Sequence, residues 1–206
     1  MKYFLQIVVL CVGLCNFIAV SANPDAENLA KSTVDKVLQV IRAEKAEFEA
    51  DPSKLYALVD NVVLPNFDFE RMSKLVLAQN WNTANADQKS RFIQEFRALI
   101  VRTYARSLLD YTDQEIKFLP SRDNGERRTT VRTEVTKPGT NKAIPIDYEM
   151  YLPNDLWKVY DVKVDSVSLV MNYRSSYADE IRKNGLDALI DQLKNKSADA
   201  MKSGAK

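Results

Sequence analysis

Asp161 stands between Tyr160 and Val162 in an otherwise apolar stretch, where an ionised carboxylate is costly unless something pairs with it. An arginine partner is expected there, and it would give Asp161 a structural role. A neighbouring tyrosine, Tyr148 or Tyr104, would instead make it half of an acid–base pair for proton transfer beside a carbonyl. Few other groups in the chain can react. It has no histidine, and its two cysteines, Cys11 and Cys15, both fall in the N-terminal apolar segment. Ser-His-Asp and Cys-His catalysis are excluded, as are zinc or iron sites built on nitrogen and sulfur ligands. Neither a catalytic residue nor a metal site nor a cofactor is assigned from the sequence.

The N-terminus reads as an export signal. Met1-Lys2 is a short positive start, Tyr3 to Val20 carries no charge, and Val20-Ser21-Ala22 supplies the small residues of a cleavage site. Cleavage is placed after Ala22, leaving residues 23–206 as one domain bound for the periplasm. A retained membrane anchor is the alternative, but polar Asn16 and the abrupt change to Asn23-Pro24-Asp25 argue for cleavage. Lipid attachment at Cys11 or Cys15 is disfavoured because Leu10 and Leu14 precede them. Removing Lys2 leaves 28 basic against 28 acidic residues, a balance that offers nucleic acid no basic surface. The exported chain keeps no cysteine, so a buried core must hold it together without disulfides.

The elements that would position Asp161 come as helices, then strands, then a helix. Asn23-Pro24 opens a helix to about Phe48, with Leu29, Val34, Val37, Leu38 and Ile41 on one stripe. Asp51-Pro52 caps a second helix that Pro65 ends, and Asp68 caps a short third helix carrying Met72, Leu75 and Val76. A long amphipathic helix runs from Asp87 to about Tyr111. The period then changes to two. Ile116 opens a strand, a turn is expected over residues 120–125, and Thr129–Thr136 and Ile144–Leu152 alternate. Trp157 to Leu169 reads as one long strand or two with a kink near Asp165-Ser166. Helix returns from Tyr177 to Leu193, interrupted at Gly185, and residues 196–206 are expected to fray.

Short turns between consecutive strands imply an antiparallel sheet, and helices gathered before it imply an α+β fold. Helices on the concave face of a curved sheet enclose a tapering interior that is either packed or left open for a ligand. Candidate wall residues are Phe67, Phe69, Met72, Val76, Phe96, Leu99, Ile100, Tyr104, Ile144, Ile146, Tyr148, Met150, Val162, Val164 and Leu169. Each fits a cavity wall or ordinary core equally well, so only the set is proposed. Arg71, Arg102, Tyr173 and Arg174 are the candidates for a mouth or headgroup contact, since arginine meets phosphate bidentately; a solvated or salt-bridged arginine is the plainer reading of each.

Three blocks carry a resemblance: Asn66-Phe67-Asp68-Phe69-Glu70-Arg71-Met72 with Trp81 and the Phe92–Tyr104 helix; Trp157-Lys158-Val159-Tyr160-Asp161-Val162 running on to Val167-Ser168-Leu169-Val170-Met171-Asn172-Tyr173-Arg174; and Gly185-Leu186-Asp187-Ala188-Leu189-Ile190. In this order, behind a signal segment, they resemble the MlaC family of periplasmic phospholipid carriers, also called the toluene-tolerance auxiliary family. The resemblance implies an NTF2-like fold with added helices, acyl chains held in an apolar cavity, and an exposed headgroup. It also implies a shuttle between an outer-membrane lipoprotein–porin complex and an inner-membrane MCE-domain ABC transporter complex, maintaining outer-membrane lipid asymmetry. Phospholipid is then cargo rather than cofactor, and a monomer is expected. Asn66 departs from the family, other members often carrying histidine there. Two other readings stay open: a small NTF2-like acid–base enzyme of isomerase or dehydratase type using Asp161, and a periplasmic chaperone or adaptor with an exposed apolar groove.

Overall fold

A computed structural model describes residues 23–111, 113–140 and 142–203; the expected signal segment and cleavage site lie outside the described residues. The fold is α+β: seven α-helices and a five-stranded antiparallel meander among the described residues, in the order β1-β2-β3-β4-β5.

Helix α1 (Pro24–Ala50) starts with Pro24 at the first helical position, where the missing N–H costs nothing, and leaves helical geometry briefly at Glu44. Asp51 caps α2 (Pro52–Leu58), accepting from the Ser53 amide. The chain then widens into a π turn over Val59–Val63, closed by the Leu64 amide on the Val59 carbonyl, and tightens into a 3-10 turn over Leu64–Asn66. Pro65 lacks the N–H that would continue the helix. Asp68 caps α3 (Phe69–Leu77), and a short α4 (Gln79–Thr83) follows after Ala78, which is held at φ 50°. An Asn85/Gln88 capping box opens α5 (Ala86–Tyr104), whose last stretch, Ala105–Tyr111, is 3-10 rather than the continued α-helix that periodicity suggests.

Strand β1 (Glu115–Asp123) runs straight through Pro120, where the sequence suggested a turn. Two circumstances permit this: β1 is an edge strand, and a bulge between Leu119 and Arg122 leaves Pro120 and Ser121 out of the ladder. The freed Ser121 amide donates to Glu27, and Ser121 Oγ accepts from the Asn23 amide, so the bulge anchors the start of α1. β2 (Arg128–Thr136) and β3 (Ala143–Tyr151) pair without a break. β4 (Lys158–Val164) turns through Asp165-Ser166, both at positive φ, into the two-residue β5 (Val167–Ser168).

The apolar run after β5 becomes helix, not strand: α6 spans Leu169–Asn184 and α7 spans Leu186–Ser203, well past residue 196, where fraying was expected. Asp161 supplies the reason. Its carboxylate accepts the Ser168 hydroxyl and the Val170 amide, two donors at the α6 N-terminus. The expected arginine partner is replaced by a helix end. Residues of α3, α5, α6 and α7, with Phe92 and Phe96 fully buried, form the larger core; Ala26, Val131, Met150, Trp157 and Val159 form a smaller one under α1.

Candidate functional site

Sheet register fixes which side chains share a face. Val135 lies opposite Ile144, Val131 opposite Tyr148, Tyr148 opposite Val162, and Ile146 opposite Val164. These apolar residues face α1, whereas Arg132, Asp147, Glu149, Asp161 and Lys163 occupy the other face. A bulge in β4 lets Val159 and Val162 both join the apolar side while Asp161 turns away.

Between that face and the helices lies a cavity of ≈ 590 Å³, within the roughly 300–1,000 Å³ common for small-molecule sites. Its wall takes Leu29, Ala30, Val34 and Val37 from α1, Val59, Val63 and Leu64 from the turns after α2, and Ile100, Val101 and Tyr104 from α5. The π turn matters here, because five residues per hydrogen-bonded turn bring Val59, Val63 and Leu64 to one side. No charged side chain among the described residues lines the cavity. Of its interior polar groups, Asn66 donates to Thr33 Oγ1 at 2.9 Å, Thr33 donates to the Leu29 carbonyl at 2.7 Å, and Ser168 is engaged with Asp161 and the Met171 amide. This is a surface for hydrocarbon.

Of the candidate wall residues, Phe67, Phe69, Met72, Ile100, Tyr104, Ile146, Tyr148, Met150, Val162, Val164 and Leu169 line the cavity. Four do not. Val76, Phe96 and Leu99 are buried in the larger core, where α3 and α5 pack against α6 and α7. Ile144 lies at the start of β3, on the cavity face but beyond its edge. Periodicity missed the α1 stripe as a wall, along with Val59, Val63, Ile116 and Val135. The apolar stripe of α1 was visible in the sequence, and only its use was not.

None of the three candidate arginines reaches the cavity. Arg71 stacks on Tyr151 and Tyr160, at 4.0 and 4.9 Å from the ring centroids, on the polar side of the sheet. Its neighbour Met72 takes the inward direction, so a one-residue step carries Arg71 away. Arg102 donates to Ser197 on α7, and Arg174 is exposed on α6. Tyr173 packs edge-on against Phe96 at 5.3 Å, and burial pushes its phenol well above the ordinary range.

The motif blocks prove largely to be scaffold. Phe67 bridges to Val159, the Asp68 amide donates to the Val159 carbonyl at 2.9 Å, and the Asp68 carboxylate takes both the Arg71 amide and the Tyr151 hydroxyl. One acidic residue thus clamps α3 to β3 and β4. Asp161 does the same for α6.

Residues 31–195 match the family model described as MlaC protein. The toluene tolerance protein ttg2D of Pseudomonas putida is 27% identical over 80% of this chain and 77% of its own length. The intermembrane phospholipid transport system binding protein MlaC of Haemophilus influenzae is 25% identical over 82% of this chain and 81% of its own. Among solved structures, a phospholipid-binding protein from Ralstonia solanacearum in complex with a phospholipid superposes with a TM-score of 0.78, at 28% identity, over 85% of this chain and 98% of the other. With a family match over most of its length and the same fold as a phospholipid-bound relative, the chain belongs to the MlaC family.

Proposed function

We propose that this protein carries phospholipid through the periplasm as a monomer, acyl chains in the cavity and headgroup outside, without altering it covalently. The observation that carries the reading is the uncharged apolar cavity between α1 and the sheet, in a chain that superposes on a relative holding a phospholipid. In this reading it travels between an outer-membrane lipoprotein–porin complex and an inner-membrane MCE-domain ABC transporter complex, and so maintains outer-membrane lipid asymmetry.

The energetics suit a carrier. Burying a methylene is worth about 0.8 kcal/mol, so two chains with on the order of 30 methylenes represent roughly 24 kcal/mol gross, and a bilayer offers about the same. A wall of valine, leucine and methionine matches the membrane without beating it, which is what loading and unloading both require. The acid–base alternative loses its geometry, because Asp161 lies on the opposite face of the sheet from the cavity tyrosines and is committed to α6.

Native mass spectrometry of protein purified from a periplasmic extract without detergent, followed by organic extraction, tests the proposal. Bound diacyl phospholipid is expected. A lipid-free chain that also takes none from vesicles would refute it.

A further inference from the structure

The rim of the cavity is two-sided. One lip is apolar: Val164 and Val167, opposite one another across the β4–β5 turn, line the cavity yet are 44% and 62% exposed. The other lip is polar and uncharged. Tyr104, 43% exposed at the end of α5, Ser107 in the 3-10 turn after it, and Asn172 in the first turns of α6 all line the cavity and are open to solvent. The interior polar groups Thr33, Asn66 and Ser168 have partners inside the protein, whereas the Ser107 hydroxyl and the Asn172 carboxamide have none among the described residues. Unspent donors therefore stand at solvent-exposed positions of the cavity lining.

Resting on the carrier reading above, we propose that Tyr104, Ser107 and Asn172 form a neutral cradle for the phosphodiester of the cargo. Two properties make these groups suited to it. Hydroxyl and carboxamide N–H groups donate to phosphate oxygens without a full charge, so they hold the phosphate without an ion pair that would resist release. The nearest arginine on the same helix, Arg174, lies outside the lining, so headgroup charge is not read. The class recognised is a glycerophosphodiester with attached acyl chains; free phosphate shares the donor chemistry but leaves the apolar wall unfilled.

The test is competitive loading of the full mature chain from vesicles containing a phospholipid and the diacylglycerol of the same acyl chains, which lacks the phosphate and its headgroup alcohol. Tyr104→Phe and Asn172→Ala should each lower the phospholipid-to-diacylglycerol ratio about three- to tenfold, the range for one or two partly exposed hydrogen bonds to an anion. Diacylglycerol loading is read on the same variants, so that a loss common to both lipids, as misfolding would give, cancels in the ratio. Excess inorganic phosphate should not displace the loaded lipid, and raising salt should leave the ratio unchanged. A Tyr104→Phe/Asn172→Ala double variant that keeps the unaltered ratio would overturn the cradle while leaving the carrier reading in place. So would a ratio that collapses with salt, which would point to arginine. If the unaltered protein loads neither lipid, the carrier reading fails and the cradle with it.

Discussion

Filling the cavity from within should abolish loading without unfolding the protein. Ala30 is the position for this: it is half-buried on α1, lines the cavity, and packs beside the smaller core under that helix. Ala30→Trp places an indole where hydrocarbon would lie and displaces on the order of four methylenes of cargo. At about 0.8 kcal/mol each that removes roughly 3 kcal/mol, or about a hundredfold in loading. Ala30→Leu displaces on the order of two methylenes and should cost about tenfold by the same count. Fold stability moves the other way or hardly at all. The new side chain buries apolar surface against an open wall, offset by an overpacking cost of about 1–3 kcal/mol. Ala46→Trp, on an exposed part of the same helix, is the control and should load normally. Lipid-to-protein ratio after incubation with labelled vesicles, read beside thermal melting by circular dichroism, gives both quantities on one sample. If Ala30→Trp melts normally and loads as well as the unaltered chain, the cavity does not hold the lipid and the argument from its wall is wrong.

Asp161→Ala should destabilise the fold by about 2–4 kcal/mol, since it strips a carboxylate from two donors at the α6 N-terminus, with Asp161→Asn recovering part of the loss; denaturant titration measures it, and unchanged loading by the folded protein would separate this structural role from catalysis. Phe96→Ala, fully buried away from the cavity, should cost about 3–5 kcal/mol, again without a direct effect on loading. Ala78 sits at φ 50°, ψ −117°, a conformation that favours glycine, so Ala78→Gly should raise stability by about 1 kcal/mol at an unchanged denaturant slope. Burial holds the Tyr177 phenol protonated well above its ordinary range, so its contribution is intact below the unfolded value of 10.0 and is lost as pH rises beyond it and the unfolded chain ionises. Tyr177→Phe should flatten the alkaline fall in melting temperature.

The parts of this protein that were legible in its sequence are those decided by neighbours in the chain. Asp51 and Asp68 read as helix caps because a short carboxylate there meets the amides two or three residues on, and both do so. The alternation of Ile144 to Met150 read as a strand because period two is a local property, and the family followed from motif blocks spread along the whole chain. What the sequence left open was decided by distant segments. Leu169 to Met171 has the composition of a strand, and it becomes a helix start because Asp161, from the sheet, accepts the Val170 amide and the hydroxyl of the Ser168 cap. Pro120 reads as a turn, and it lies within a strand because an edge and a bulge excuse its missing N–H. Helix α5 is apolar on two sides, with Phe92 and Phe96 in the core and Ile100, Val101 and Tyr104 on the cavity. Periodicity announces an apolar face but not what will cover it. Whether such a face meets another helix or an open space depends on how the layers stack, and only the tertiary structure decides that.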